Sequence, residues 1–529
     1  MLNKNPILMR PFFALALATA LQLSLYAQNQ PPQVAITGMA TDPQNQTVTL
    51  TFNLSDPDDE ALDVYLRAAP TGSARFNIIP AQVSGNIGFP VAPGDGLQLT
   101  WAYAGELAEA TALDLKIIAD DRYEIPISEM VAQVDSQLLR ARLQQIDGPR
   151  HFAAAPATLN LCRDTIMNAF QAYGLSAYRQ NFPYANTIGQ NLIADHWGDI
   201  NGHSTVIIDG HYDTVSDAPG ADDNGSAVAG MLEAARILSA YHFRNNLRFI
   251  GFDLEEAGLR GSIHYVGNRP EAEDILGVLN MEMIGYFSDA PNSQTLPDGF
   301  ALLFPQASAE VAAQQNRGNF LTNVAIQSSE PLRQAFDAAA AAYVPELRVI
   351  SLQAPDGLVP PDLARSDHAP FWGAGLPALM LTDGADFRNP HYHEPSDTIG
   401  TLNFAFMSNC VKAVVATAAE LAEPIHIGEA VASNLVLTHS EGHLHHFPLS
   451  YTLSPNPANG QLFIQFGKGP ALQLEARLLD LQGRSVWRSA HATAQGSLAI
   501  PLQALPAGTY WVQLTDGHHY SAQQVVVAH

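Results

Sequence analysis

Five short segments in the middle of the chain carry carboxylates and imidazoles at spacings that metal-assisted hydrolysis could use. In Gly210-His211-Tyr212-Asp213 the acid and the ring lie two residues apart. On extended backbone such residues share a side, so Asp213 can accept from the His211 ring and fix its metal-binding tautomer. A satisfied structural pair would read the same way. Pro219-Gly220-Ala221-Asp222-Asp223-Asn224-Gly225-Ser226 is a polar turn opening into a helix, where a carboxylate can bridge two cations or simply cap the helix. Phe252-Asp253-Leu254-Glu255-Glu256 follows an apolar strand. Neighbouring acids diverge there, so one can hold a metal while the other faces a water as a base. Glu282 sits in the apolar run Asn280-Met281-Glu282-Met283, where an unpaired carboxylate is costly and calls for a cation or a hydrogen-bond network. The last segment, Asn389-Pro390-His391-Tyr392-His393-Glu394-Pro395-Ser396-Asp397-Thr398, offers two imidazoles and two carboxylates.

The elements around these segments alternate in type. Asn191–Ala194, Thr205–Asp209, Leu247–Phe252, Ile275–Met283, Leu347–Leu352 and Ala378–Leu381 read as strands. Helical spacing marks Leu161–Tyr173, Ser226–Tyr241 and Asn403–Leu421. Repeated strand-helix units imply an α/β domain whose central sheet is covered by helices, with any site at the strand ends.

On either side the texture is that of small β-sandwiches. Short alternating runs such as Val48–Leu54 and Leu97–Trp101 precede the central region, and Leu462–Phe466, Leu474–Leu479 and Tyr510–Leu514 follow it. The expected division is a signal peptide over 1–27, a sandwich over 28–131, the site-bearing domain over 132–424, a linker over 425–449 and a terminal sandwich over 450–529. His439, His443, His445 and His446 fall in that linker, where nothing nearby orients them for metal. Asp56-Pro57-Asp58-Asp59-Glu60 reads as a solvated turn, with calcium the alternative.

The formal charge of −26 repels phosphate backbones and anionic membranes, so no nucleic-acid partner is expected. Lys4 and Arg10, the apolar stretch Pro11–Tyr26 and Ala27 have the order of a secretory signal, and no later segment is expected to span a membrane. The two cysteines, Cys162 and Cys410, exclude all-cysteine metal sites and leave one disulfide open.

In order, strand-end placement and spacing, the five segments and the stretch Ser366-Asp367-His368-Ala369-Pro370-Phe371-Trp372 resemble the co-catalytic zinc aminopeptidases of the bacterial leucyl aminopeptidase and glutamate carboxypeptidase type. The resemblance covers Val134 to Glu423 and implies two zinc ions. It makes Asp223 the bridging carboxylate, His211 with Glu282 the ligands of one ion, and Glu256 with His393 those of the other. It also makes Glu255 the general base, Asp213 the partner of the His211 ring and Asp222 a neighbour of the bridge. His393 is preferred to His391 on the family-like Tyr-His-x-Pro-x-Asp-Thr pattern. Many members have Asp where this chain has Glu282, which puts metal spacing and substrate preference in doubt. The region before it resembles fibronectin type III or immunoglobulin-like modules.

At the other end Tyr451–Ala458, Leu479–Arg484 and Leu505–Tyr510 resemble a type IX secretion C-terminal sorting domain, which implies export across the outer membrane to the medium or cell surface. The resulting expectation is a secreted dizinc exopeptidase acting on peptides or proteins, most simply an aminopeptidase. Carboxypeptidase or dipeptidase action on the same scaffold is the alternative. A single-zinc glutaminyl cyclase would not need the full ligand set, and a degenerate surface-binding protein would not keep it.

Overall fold

A computed structural model describes residues 29–107, 111–270, 273–437, 451–466, 473–480, 485–493, 497–503, 505–515 and 520–528. The expected signal peptide and the histidine-rich stretch fall outside those residues.

Alternation builds the first domain. In β2 (Thr47–Ser55), Val48, Leu50, Phe52 and Leu54 are buried and their neighbours are not. With β1 (Gln33–Asp42), β3 (Leu62–Pro70), β4 (Val83–Gly85), β5 (Gly88–Val91), β6 (Gly94–Ala102) and β7 (Thr111–Asp120) it makes a sandwich packed around Phe52 and Trp101. One sheet has the order β1-β2-β6-β4.

The second sheet is completed from far along the chain. Residues 427–437, expected to begin a linker, instead form β18 (Ile427–Leu437), antiparallel to β7 in the order β18-β7-β3-β5. The boundary at 131 also shifts, because α1 (Ile127–Val131) packs into the central domain through Ile127, Met130 and Val131. Five residues are too few for helical periodicity to register. The central domain is thus inserted between two neighbouring strands of one sheet.

That domain contains α2 (Ser136–Gln145), α3 (Pro156–Ala172), β8 (Ser176–Tyr184), β9 (Thr187–His196), β10 (Asn201–His211), α4 (Gly225–Leu238), β11 (His242–Phe243), β12 (Asn245–Phe252), α5 (Arg260–Asn268) and β13 (Asp274–Met281). It continues with α6 (Phe300–Leu303), α7 (Pro305–Ala313), β14 (Leu321–Ile326), α8 (Glu330–Tyr343), β15 (Val349–Ala354), α9 (His368–Gly373), β16 (Ala378–Thr382), α10 (Phe404–Ala422) and β17 (Pro424–Ile425). Its mixed eight-stranded sheet has the order β15-β14-β16-β13-β10-β12-β9-β8. The inner strands β12, β10, β13 and β16 run parallel. Every residue of β12 and β16 is buried, as strands covered on both faces must be.

Strand β10 lies between β12 and β13, so the connections leave it in opposite directions. A crevice opens at the carboxyl ends of such strands, and His211, Glu255 and Glu282 lie at or just beyond them. The opposite end of the sheet rests on the sandwich. There Arg67 Nε and Nη2 donate to Ile200 O at 3.1 and 3.0 Å, Lys116 Nζ meets Asp199 at 3.0 Å, and Arg244 Nη2 meets Asp120 at 2.7 Å. Ile118, Ile200, Ile425 and Ile427 fill the space between.

Helix α10 corrects one expectation, since its length and mean hydropathy suit a membrane span. It is mostly buried, however, and packs against α4 and α8 as a core helix. Cys162 and Cys410 are free, buried thiols. The described residues between 451 and 528 form a seven-stranded sheet around Leu462, Leu478 and Val512.

Candidate metal centre

The cluster forms where four loops meet. His211 ends β10, and its Nδ1 lies 3.2 Å from the main-chain oxygen of Asp213 and 3.5 Å from that residue's carboxylate. The nearer acceptor is therefore the carbonyl rather than the side chain expected from the sequence. A proton held on Nδ1 leaves Nε2 with a free lone pair. The Asp213 carboxylate instead receives the amides of Glu255 and Glu256 at 3.0 and 3.2 Å, fixing the turn that carries both glutamates.

Asp223 is set by the acid-rich turn before α4. The Asp397 carboxylate accepts the amides of Asp222 and Asp223 at 2.9–3.1 Å. Asp222 faces away, accepting from the Gly285 amide at 2.9 Å and Asn389 Nδ2 at 2.8 Å. Gly220 makes the tight approach possible: its φ is +65°, and a Cβ there would sit 2.4 Å from Asp223 O. The loop between the two ligand segments is gathered by Arg150, which is fully buried. Arg150 donates to the carbonyls of Tyr212, Pro219 and Gly220 at 2.7–2.8 Å and to those of Ile146 and Gly148 at 3.0 Å.

Glu282 follows β13 directly. Its Oε2 accepts from Ser366 Oγ at 2.6 Å and Asn224 Nδ2 at 3.3 Å. Asn224 also donates to Met281 O and accepts the Met283 amide, both at 3.0 Å, so it brackets the acid on either side. His393 stacks on Tyr392 at 3.8 Å between ring centroids, and Arg365 Nη2 donates to the tyrosine hydroxyl at 3.0 Å. Leu254, Met283 and His393 all have φ between +56° and +59°, a conformation rarely taken by such side chains and one that gathers at functional sites.

Two groups of metal-ligating atoms result. His211, Glu255 and Glu282 form one, and Asp223, Glu256 and His393 the other. Asp223 joins them: its Oδ1 lies 3.4 Å from His211 Nε2 and its Oδ2 lies 3.0 Å from His393 Nε2. His211 Nε2 is also 3.4 Å from Glu282 Oε2 and 3.8 Å from Glu255 Oε2, and His393 Nε2 is 3.3 Å from Glu256 Oε2. Most of these separations exceed the usual 2.7–3.2 Å of an N–H···O bond. They approximate the ~3.3 Å edge of a tetrahedron around zinc with ligands at 2.0–2.2 Å. His211 Nε2 is buried without a hydrogen-bond partner, as is Glu256 Oε1. Donor types, spacing and orphaned atoms therefore fit zinc at both positions. His391 is turned elsewhere, with Nδ1 2.8 Å from Ser396 Oγ.

Electrostatics point the same way. Burial pushes the Glu255 carboxyl well above the usual range despite His211, and burial with the Asp223 charge takes Glu256 to about 7. Burial opposes protonation of His393, but Asp223 and Glu256 outweigh it and raise the ring to about 10. Burial likewise disfavours the charged Asp223, yet the neighbouring His211 and His393 rings hold its pKa below the ordinary value. Glu255 and Glu256 therefore hold protons more tightly than free carboxyls do, protons that cations bound there would displace.

A cleft of about 850 Å³, its open mouth included, runs from this cluster along one face of β14, β15 and β16. Thr322 and Thr382 lie near its top, while Val324, Leu352 and Met380 lie one strand step deeper. Phe300 and Val311 form the far wall.

The sequence did not reveal the roles of Arg150, Asn224 and Ser366. Asn224 and Ser366 carry no charge pattern, and Arg150 sits in an ordinary Gly-Pro loop. Elsewhere Asp56, Asp59 and Asp121 converge at one end of the sandwich, where Asp56 Oδ1 accepts the amides of Asp58 and Asp59 as in an Asx turn.

Residues 191–418 match the model of Peptidase family M28, and residues 452–528 match that of the Secretion system C-terminal sorting domain. Uncharacterized protein YfbL of Escherichia coli (strain K12) is 32% identical over 49% of this chain and 79% of its own length. Leupeptin-inactivating enzyme 1 of Streptomyces exfoliatus is 31% identical over 42% of each chain, and Aminopeptidase YwaD of Bacillus subtilis (strain 168) is 29% identical over 41% of each. The chain thus spans less than half the length of those two relatives. Among solved structures, an aminopeptidase from Aneurinibacillus sp. strain AM-1 is 18% identical, covers 59% of this chain and 98% of its own, and has a TM-score of 0.44.

Proposed function

The chain belongs to peptidase family M28 and carries a secretion-system sorting domain, and from that premise we propose that it is an exported dizinc aminopeptidase. The observation that carries the reading is Asp223, whose two oxygens face two different imidazoles, each flanked by a further glutamate.

His211 and Glu282 would hold one zinc and Glu256 and His393 the other, with Asp223 shared. Zinc bound there supplies Lewis acidity toward the scissile carbonyl and lowers the pKa of a water toward neutrality. Glu255 is the general base. Its Oε2 stands 3.8 Å from His211 Nε2, and burial raises its affinity for a proton. It accepts the proton of the attacking water and returns it to the departing amine. Asp213 keeps Glu255 in place by holding its amide.

Charge supports release from the amino end. Asp223, Glu255, Glu256, Glu282, Asp362 and Asp386 line the cleft. The one arginine or lysine among its described lining residues, Arg365, is paired with Asp386 at 3.1 Å. With the four metal-site carboxylates balanced by two zinc ions, Asp362 and Asp386 beside the single Arg365 leave the rim one charge negative, which favours an α-ammonium group over an α-carboxylate. The threonines above an apolar floor suit an aliphatic or aromatic first side chain with no charge at its tip.

The test is hydrolysis of matched peptides with free or acetylated amino ends, with and without a zinc chelator, alongside metal analysis. Release of the first residue from free-ended peptides only, lost with the chelator, and two zinc ions per chain are expected. Cleavage from the carboxyl end would overturn the assignment of peptide end, and absence of zinc would overturn the mechanism.

A further inference from the structure

Arg388 is buried at 5% exposure and touches none of the proposed zinc ligands. It lies between β16 and His393, in the loop whose Asn389 holds Asp222. Its guanidinium reaches two residues that line the cleft. Nε donates to Gln294 Oε1 at 2.7 Å, and Nη1 donates to Phe320 O at 2.7 Å. The same group lies 4.5 Å from the Phe320 ring centroid. Gly318 leaves it room, since a Cβ there would come within 2.8 Å of the Arg388 stem.

Both partners line the cleft. Gln294 begins the strap that continues through Thr295, Leu296 and Pro297 to Phe300, all of them cleft residues. The strap is tied to the same loop a second time, because Thr295 N and Oγ1 donate to Phe387 O at 2.8 and 2.9 Å. Arg388 is thus the buried joint between the wall that meets a substrate side chain and the loop that presents His393.

We propose that Arg388 is a positioning residue for side-chain selectivity, latching the 294–300 wall at the distance at which a large apolar first residue is held in register with the metal centre. The proposal rests on the aminopeptidase reading above. A large side chain that presses on this wall gains orientation from it, whereas an alanine does not reach it. Loss of the latch therefore costs the large substrate selectively.

The test compares leucyl- and alanyl-p-nitroanilide with the full chain, its Arg388→Lys variant and its Gln294→Met variant. Lysine keeps the charge but cannot span Gln294 and Phe320 together. For Arg388→Lys the leucyl-to-alanyl ratio of kcat/KM should fall about tenfold or more, chiefly through kcat for the leucyl substrate, with zinc content and circular dichroism unchanged. An equal loss on both substrates, or an unchanged ratio, overturns the proposal. If Arg388→Lys does not fold, Gln294→Met decides: it removes the acceptor on the cleft side and should lower the same ratio. A wild-type chain inactive on both substrates overturns the functional reading first, and the proposal with it.

Discussion

Replacing Glu282 by aspartate tests whether the longer acid matters. The substitution shortens the arm by one methylene, about 1.5 Å. Glu282 Oε2 now sits 2.6 Å from Ser366 Oγ, 3.3 Å from Asn224 Nδ2 and 3.4 Å from His211 Nε2. Drawn back by that length, the carboxylate leaves hydrogen-bond range of Ser366, which is fully buried. A hydrogen bond to a charged group contributes about 1.5–3 kcal/mol. Its loss corresponds to ~10–150-fold weaker zinc binding at the His211 position. Competition with a chromogenic chelator should therefore show one weakened and one unchanged zinc. Ser366→Ala alone should weaken the same ion, and adding it to Glu282→Asp should do little more, because the bond is already gone. Zinc affinity within about twofold of wild type in Glu282→Asp would refute this account of the clamp.

Three further outcomes follow from the same contacts. Glu255→Gln should lower kcat by about 10²–10⁴-fold while both zinc ions stay bound, as read by single-turnover kinetics and metal analysis. Arg248, 4% exposed, meets Asp195 at 2.6 Å, Glu273 at 2.8 Å and the Tyr265 hydroxyl at 2.7 Å, so Arg248→Met strands two buried carboxylates. It should destabilise the fold by about 3–5 kcal/mol in denaturant titration. At the junction between domains, the hydrogen bond to Asp199 raises the His242 pKa above 6.5. Its contribution is full below 6.5 and fades as pH rises through the higher folded value. Burial pushes Asp199 up, but His242 and Lys116 outweigh it and hold it below 3.8, so its contribution is lost only in stronger acid. Thermal melts should lose stability as pH rises above 6.5, and His242→Gln should flatten that slope.

Much of the central domain was legible because its parallel strands are short apolar runs ending in acids, a pattern that marks both the core and the crevice. The five acid- and imidazole-bearing segments stood out for the same reason: an acid such as Glu282 next to a buried strand calls for a cation or a hydrogen-bond network. What escaped was long-range pairing. Strand β18 has an ordinary amphipathic pattern, and nothing local says that its partner is β7, some 300 residues earlier. Strand β14 escaped because Thr322 and Asn323 interrupt its apolar run. The supporting groups escaped too, since the roles of Arg150 and Arg388 are defined by carbonyls and amides that only the fold brings near them.

The insertion of the catalytic domain sets an order of events for the chain. When β7 has been made, its sheet still lacks the strand that covers its edge, and that strand arrives only after the whole catalytic domain. An unformed partner leaves a row of unpaired amides and carbonyls exposed. The edge closes when a folded catalytic domain brings α1 and β17, its two ends, back to the sandwich, and loop closure is then nearly free because the intervening residues are already ordered. The sorting domain lies beyond β18. A chain can therefore present its sorting domain on a finished sandwich only after every residue of the inserted domain has been made.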